Sequence, residues 1–376
     1  MSHHDVIVVG AGPAGLLVSA ELARHGVDVA VFEARANAGA GSRAIGVHPP
    51  VLAALEASGA TERILAGAAR IPRGEARNRS GDVLGEVRFD RLSTRFPFVA
   101  AVPQAVTEAA LAHGAPAPIR GRRVDAVSER VDRVEVRFAD EAATASAVVV
   151  AAGVAGRRLV PAARPRARSY GDRYVMADLS GPTGEPDDLA VVTLDASGVV
   201  ESFPLPGGGR RLVAWNGRGP ADDAQALATL RIAVAARTGN VPLADLIQDA
   251  TAFGIRRVLA RRMRCGRVFV IGDAAHEISP IGGQGMNLGL LDAATLAPVL
   301  ARWLADRGSE DALDRWERSR LRSARTAARI AGLNTALGRG RGDASHRLLS
   351  ATVRRGAGRF SPALARAYAM GFDASA

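Results

Sequence analysis

The strongest hydrophobic pattern lies at the start of the chain, in residues 5–33. The apolar run in DVIVV predicts a buried strand, and apolar residues at helical spacing from Ala14 to His25 predict a helix that Gly26 ends. A second apolar segment, VDVAVFE, predicts another strand directly afterwards. This order of strand, helix and strand predicts a βαβ unit.

A similar pattern recurs two-thirds of the way along the chain. The apolar residues from Val268 to Ile271 predict a short buried strand that Gly272 and Asp273 end. A loop rich in glycine and proline follows, and apolar residues then recur at helical spacing from Met286 onward. Because α/β sheets bind ligands outside the carboxyl ends of their strands, residues 272–296 form a candidate ligand site.

The remaining segments predict further strands, several helices and a helical C-terminal end. Short alternating stretches in residues 71–99, 124–138 and 164–264 predict mainly antiparallel strands, and residues 147–152 predict a further buried strand. Helices are predicted at 51–57, 103–113 and 222–238, and from 311 onward with breaks at 338–342 and 356–358.

The predicted fold is therefore α/β, with a discontinuous Rossmann-like domain, a second and mainly antiparallel domain, and a helical C-terminal region. We assign residues 1–70, 100–160 and 265–310 to the first domain. Residues 71–99 and 161–264 form the second, and residues 311–376 form the C-terminal region. The 376 residues are enough for two to three domains at about 150 residues each.

The charge is unusual in its distribution. The formal net charge is +11, and all 49 basic residues are arginines, which excludes a lysine nucleophile. Residues 315–366 hold 13 arginines and only two acidic residues, Glu317 and Asp343. This tail is interpreted as a solvated helical face, with an anionic partner as the alternative; no nucleic acid is expected.

Several other features narrow the class of protein. A single cysteine, Cys265, excludes an internal disulfide and fits a reducing cytoplasm. The N-terminus lacks the pattern of a signal peptide, and no apolar run approaches the roughly 18 residues of a membrane span. The seven histidines have no paired ligand spacing, so no metal site is predicted.

The N-terminal unit carries a dinucleotide fingerprint. Gly10, Gly12 and Gly15 match G-x-G-x-x-G directly after a strand, and Glu33 follows the last glycine by 18 residues. The first glycine makes a tight turn, the second lets a pyrophosphate approach, and the third lets helix and strand pack. Glu33 is placed to accept from an adenosine ribose hydroxyl, so we predict an ADP-bearing cofactor.

The second glycine-rich segment is suited to a different part of a cofactor. Its glycines lie where a helix begins, and the free N–H groups of a helix N-terminus favour an anion or an electron-rich ring edge. Asp273 is suited to a sugar or ribityl hydroxyl.

These two motifs, with the middle strand that ends at Gly153 between them, resemble the FAD-dependent aromatic hydroxylases of the para-hydroxybenzoate hydroxylase family, including polyketide hydroxylases. The resemblance covers about residues 5–305, and the string GDAAH…P..GQG.N.G..DA carries most of it. It implies that the first domain binds FAD and the second binds substrate. It further implies cofactor contacts for ten residues, namely Gly10, Gly12, Gly15 and Glu33 at the ADP half, Arg43 and Gln104 near the phosphates and sugar, Asp273 at the ribityl chain, and Gly285, Met286 and Asn287 at the pyrimidine edge of the flavin.

The resemblance also implies a reaction. Reduced FAD would react with O2 to a C4a-hydroperoxide that hydroxylates an aromatic substrate, with NADH or NADPH as the electron donor. Pro280 would line the reacting face. For a substrate base the nearest candidates are His48 and His276, of which His276 lies within the motif. The preferred interpretation is a hydrogen bond that is structural or close to the flavin for His276, and a surface or packing role for His48.

One segment departs from the family. Family members usually carry Gly-Ala-Asp-Gly followed by Ser and Arg, whereas this chain reads Gly153-Val154-Ala155-Gly156-Arg157-Arg158. Ala155 thus stands where the family has an aspartate linked to FAD and nicotinamide binding. This departure leaves three alternatives open: a same-fold flavin reductase of double bonds, an epoxidase, and a flavoprotein that acts mainly through a partner of its basic tail.

Overall fold

The computed structural model describes residues 2–37, 44–219, 223–306 and 310–373, with the side chains of 356–361 not described. Its strands, in chain order, are β1 (His3–Val9), β2 (Val29–Glu33), β3 (Gly46–Val47), β4 (Ala69–Ile71), β5 (Arg73–Arg77), β6 (Val83–Arg88), β7 (Val99–Ala101), β8 (Ile119–Arg120), β9 (Ala126–Glu129), β10 (Val134–Arg137), β11 (Ala142–Val150), β12 (Arg166–Leu179), β13 (Leu189–Thr193), β14 (Val200–Pro204), β15 (Arg210–Arg218), β16 (Thr251–Leu259), β17 (Arg264–Cys265), β18 (Val268–Val270) and β19 (His276–Glu277). Its α-helices are α1 (Pro13–Arg24), α2 (Pro49–Ala54), α3 (Ala60–Leu65), α4 (Gln104–Ala112), α5 (Gly153–Gly156), α6 (Ala226–Thr238), α7 (Val241–Asp245), α8 (Gln284–Asp306), α9 (Glu310–Leu337) and α10 (Asp343–Tyr368).

The first sheet has the order β17-β18-β11-β1-β2-β8. From β18 to β8 the neighbouring strands are parallel, and the hairpin of β9 and β10 extends from β11. Parallel strands are buried on both faces, which explains the continuous apolar runs of β1 and β11. The carboxyl ends of β1, β11 and β18 meet at one edge, and their next residues include Gly10, Ala151 and Gly272.

The second sheet has the order β19-β16-β12-β15-β14-β13-β5-β6. All its pairs are antiparallel except β13 with β5, so the prediction of a mainly antiparallel second sheet is confirmed. Strands from residues 71–99 and 161–264 share this sheet, whereas β7 joins β3 and β4 in a separate small sheet. The domain limits given above stay a prediction.

Helix α8 lies in the core behind the first sheet. A Cβ on Gly289 would lie 3.0 Å from the Cα of Gly272 and 3.5 Å from the Cβ of Ala14, so two glycines let α8, α1 and the β18 turn approach closely. By length and composition alone α8 is apolar enough to cross a membrane. Half of its most apolar stretch is buried inside the protein, which is the position of a core helix.

The C-terminal region consists of α9 and α10. The predicted break at 338–342 separates them, but the break predicted at 356–358 is wrong, because α10 runs unbroken from Asp343 to Tyr368. Helix α10 packs along β6, and such tertiary packing outweighs the roughly 1 kcal/mol cost of a glycine in a helix. Two arginines of this region form ion pairs with acidic residues elsewhere in the protein: Arg320 pairs with Asp292, and Arg339 pairs with Asp172.

Candidate active site

One large cavity lies between the two sheets. Its volume is about 1230 Å³, and residues of both sheets and of α8, α9 and α10 line it. Pockets for single drug-sized ligands measure about 300–1,000 Å³, so this cavity has room for a dinucleotide and a second molecule.

The three glycines of the fingerprint have three different surroundings. Gly10 has a φ of +106°, and a Cβ on it would lie 2.7 Å from the carbonyl oxygen of Ala151. A Cβ on Gly15 would lie 1.9 Å from the carbonyl oxygen of Gly10. A Cβ on Gly12, by contrast, would meet no protein atom within 4 Å, and Gly12 lines the cavity at the start of α1. Only the space beside Gly12 is therefore left for a ligand.

Glu33 ends β2 at the cavity wall. Its Oε2 accepts a hydrogen bond of 2.8 Å from the N–H of Ala11, and its Oε1 accepts one of 2.9 Å from the N–H of Arg35. Burial raises the pKa of Glu33, but the hydrogen bonds from Arg35 and Ala11 outweigh burial and hold it below its ordinary value. The ionised carboxylate thus fixes the glycine turn, and its remaining acceptor capacity fits the predicted ribose contact.

Asp273 lies just beyond β18 and lines the cavity with an exposed side chain. Its carbonyl oxygen accepts a hydrogen bond of 2.6 Å from Nη2 of Arg157, which also bonds Oε2 of Glu277 at 2.9 Å. Arg157 belongs to the segment that departs from the family pattern, and Ala155 of the same segment lines the cavity. The departing segment therefore supports the Asp273 turn through Arg157.

The loop before α8 forms the middle of the cavity wall. Pro280, Gly285 and Met286 all line the cavity, and Gly285 and Met286 stand in the first turn of α8. N–H groups of a first helical turn have no partner within the helix, so they are available to a ligand. Gly282 and Gly283 have φ values of +95° and +69°, which allow the chain to turn into the helix.

Asn287 lies behind this wall. Its Nδ2 donates to the carbonyl oxygens of Gly46 and Gly283 at 2.8 and 2.9 Å, and its Oδ1 accepts from the N–H of His48 at 2.8 Å. The buried side chain thus joins the loop to the segment before α2. Any contact of Asn287 with a cofactor would come from its backbone.

His276 lies away from the wall of the large cavity. Its side chain is 1% exposed and does not line the large cavity; Nε2 lies 2.6 Å from Oδ2 of Asp292, which also accepts from the N–H of Gly272. Burial lowers the pKa of His276, but the Asp292 carboxylate outweighs burial and raises it. Oδ1 of Asp292 accepts from Nε of Arg320 at 2.8 Å. His276 is part of a buried ionic network, and the structure gives no support to a catalytic role.

The other predicted contacts differ in position. Gln104 begins α4, lines the cavity and donates to Oε1 of Glu108 at 2.8 Å. Gly15 contributes close packing and does not line the cavity. Arg43 lies outside the described residues.

His48 takes the position at the cavity that the motif suggested for His276. It is 4% exposed, it lines the cavity, and a Cβ on Gly283 would lie 3.3 Å from its Nε2. Burial lowers the pKa of His48 to about 4, with a small opposing effect from the Tyr368 backbone. Its Nδ1 has no hydrogen-bond partner in the described part of the chain. A neutral imidazole with one unpaired nitrogen therefore stands beside the start of α8.

Two further cavity residues were missed in the sequence. Glu201 lies on β14, is 7% exposed, and has a pKa that burial raises to about 7. Tyr368, at the end of α10, donates to Oδ1 of Asn334 at 2.9 Å. The signal for Glu201 was a lone acid within the apolar strand VVESFPLP; nothing in the tail marked Tyr368.

Comparison with known proteins shows which family this chain matches. Residues 3–331 match the FAD binding domain family. The rifampicin monooxygenase of Streptomyces venezuelae is 34% identical over 334 residues, which cover 84% of this chain and 68% of that enzyme. The 6-methylpretetramide 4-monooxygenase of Streptomyces rimosus is 30% identical over 353 residues, covering 89% of this chain and 63% of that enzyme. This chain thus spans about two-thirds of the length of these relatives.

A solved structure shares the whole architecture. The p-nitrophenol 4-monooxygenase of Pseudomonas putida superimposes with a TM-score of 0.87 over 100% of this chain and 98% of that chain. At 21% identity this likeness concerns the fold alone. The fold of this chain is therefore also the fold of a monooxygenase of known structure.

Proposed function

This chain belongs to the FAD binding domain family, and from that premise we propose that it is a flavoprotein monooxygenase that hydroxylates an aromatic small molecule with O2, FAD, and NADH or NADPH. The observation that supports this proposal is the single cavity that joins the Gly12 turn, the start of α8 and an apolar face of the second sheet. By their names, the two relatives described above act on rifampicin and on 6-methylpretetramide, and the apolar face of this cavity favours an apolar ring substrate.

The residues present fit the cofactor. Gly12 leaves open space at the start of α1, where the helix dipole favours a pyrophosphate. Glu33 would hold the ribose, and Asp273 would hold the ribityl hydroxyls. The first N–H groups of α8, at Gly285 and Met286, would hold the pyrimidine edge, which becomes electron-rich on reduction.

When bound, FAD supplies the redox chemistry that activates O2 for insertion into a ring. The protein has to orient the ring and exclude water. The apolar side chains of the second sheet, together with Pro280 and Ile281, form a surface on which a flat ring would pack. Helix α10 would close the cavity against water. It contacts the start of α8 through the 3.0 Å hydrogen bond that Nε2 of Gln284 donates to the carbonyl oxygen of Ala367.

The test begins with the colour of the purified protein. Flavin absorbance, followed by oxidation of NADH or NADPH that a phenol accelerates, would support the proposal. A colourless protein that cannot be reconstituted with FAD would refute it. Bound flavin with no nicotinamide oxidation in the presence of any phenol would instead favour the reductase or partner alternatives. Cytoplasmic location remains a prediction.

A further inference from the structure

Glu201 lies on the face of the second sheet that lines the cavity, and this face is called the cavity floor. In the register of the second sheet it stands opposite Val192 on one side and Val213 on the other, and Met176 is the next residue in the same row. All four residues line the cavity. One carboxylate is thus set in a row of apolar side chains.

The Glu201 carboxylate has no hydrogen bond or ion pair with the part of the chain that the structure describes, and burial alone accounts for its raised pKa. An unpartnered buried carboxylate is costly, so its presence indicates a partner that comes from outside the chain. The nearest basic side chain on the floor, Arg211, is already held by Asp178 through bonds of 2.6 and 2.7 Å.

The titratable and charged groups around Glu201 come from every neighbouring element. Tyr174 and Tyr368 lie close enough for an electrostatic effect, because the negative charge of Glu201 contributes to the raised pKa of both hydroxyls. The remaining charged or titratable groups that line the cavity on this side are Glu75 of β5, Glu86 of β6, Arg211 of β15, Arg256 of β16 and His48. Glu75 pairs with Arg73 and Arg77, and Arg256 pairs with Glu277.

The floor around Glu201 reaches the loop before α8. Ile281 belongs to the same apolar cluster as Val199, Val213 and Phe253, and it follows Pro280 directly. The wall of the cavity is therefore continuous from the row of Glu201 to the loop at which the cofactor is expected, and a ring packed on this cluster would lie near both.

We propose that Glu201 accepts the proton of the substrate's ring hydroxyl, and that the substrate is an uncharged hydroxylated aromatic compound and not an aromatic carboxylate. This inference rests on the proposed function.

The proton transfer balances without another reactant. The O–H bond of the ring hydroxyl breaks, its electron pair stays on the ring oxygen, and the proton forms an O–H bond on Glu201. The negative charge moves from the carboxylate to the ring oxygen, so Glu201 and the substrate together carry one negative charge before and after the step. Because burial raises the pKa of Glu201 to about 7, the carboxylate is matched to this transfer near neutral pH. A second anion, such as a substrate carboxylate, would be repelled.

Binding to the FAD-loaded protein tests this inference without turnover. The probes are a naphthol, its methyl ether and the matching naphthoate, measured by calorimetry at about pH 8, where Glu201 is ionised. We expect the wild type to bind the naphthol more tightly than the ether and to bind naphthoate about tenfold more weakly or worse. Glu201→Gln keeps the shape and removes the charge, so naphthoate binding should improve about tenfold. Glu201→Asp should restore the discrimination, and Glu21→Gln, a buried acid on α1 outside the cavity, should change nothing.

Two results would overturn the inference: naphthoate affinity that is equal in wild type and Glu201→Gln, or failure of the wild type to bind the naphthol. Failure of the proposed function would look different. In that case the selectivity would still change in Glu201→Gln, and no phenol would be hydroxylated by the wild type. Hydroxylation with unchanged selectivity would refute only the role of Glu201.

Discussion

Nε2 of His276 lies 2.6 Å from Oδ2 of Asp292, and both side chains are almost completely buried. The same carboxylate binds Arg320 and the N–H of Gly272. The Gly272 turn, α8 and α9 therefore meet at Asp292, and His276, a candidate base in the sequence, belongs to this buried contact.

Replacing Asp292 by Ala should lower the free energy of unfolding by about 3–5 kcal/mol, because it leaves Arg320 as a buried charge with one acidic partner fewer. Urea unfolding measures this change. Asp306→Ala, on the exposed end of the same helix, is the control and should change stability by no more than about 0.5 kcal/mol. An equally small effect at Asp292 would contradict the structural role of the network.

Glu201→Gln should stabilise the protein, but only above neutral pH. Burial raises the pKa of Glu201 from 4.5 to about 7, so the folded protein binds this proton more tightly than the unfolded chain does. The wild type thus has its full stability below about pH 4.5 and loses part of it as pH rises through about 7. At about pH 8 the variant should be more stable, by on the order of 3 kcal/mol, and at about pH 4 equally stable. Thermal unfolding at both pH values measures the difference, and an effect independent of pH would contradict the assignment.

Gly12→Val should abolish FAD binding and leave the fold intact. The missing side chain of Gly12 faces no protein atom within 4 Å, and its φ of −82° is one that any residue adopts. Flavin content and circular dichroism of the purified variant provide the two readouts. Gly67→Val is a suitable control, since Gly67 lies outside the cavity with only Val106 nearby. A Gly12→Val protein that keeps its flavin would show that the pyrophosphate lies elsewhere.

Asp273→Ala should weaken FAD binding by roughly 1.5–3 kcal/mol, the contribution of a hydrogen bond to a charged group. A fluorescence titration of the apoprotein with FAD measures the affinity, and Asp245→Ala, on the exposed surface of α7, controls for loss of surface charge. Equal affinities of the two variants would remove Asp273 from the cofactor site.

The sequence predicted what depends on local geometry. The glycines of the first turn have the surroundings that their spacing implied, because a tight turn and a close helix contact are properties of a few consecutive residues. The alternation of the middle region likewise predicted its antiparallel sheet.

What the sequence did not reveal depends on packing between distant elements. Alternation shows that Glu201 and Val200 point to opposite faces of β14, but only the folded sheet shows that the Glu201 face lines the cavity. Tyr368 reaches the cavity because α10 folds back over β6, which no local pattern indicated. For the same reason only the folded chain shows that His48 lines the cavity and that His276 does not.

Hydroxylation under isotopically labelled O2 tests whether this protein is a monooxygenase of aromatic compounds. The FAD-loaded protein is given a naphthol and either NADH or NADPH, and mass spectrometry of the product follows the label. We expect a ring-hydroxylated product with one labelled oxygen atom, formed only when the nicotinamide is oxidised. Oxidation of the nicotinamide with either donor and no labelled product, for the naphthol and for larger phenolic polyketides, would contradict it.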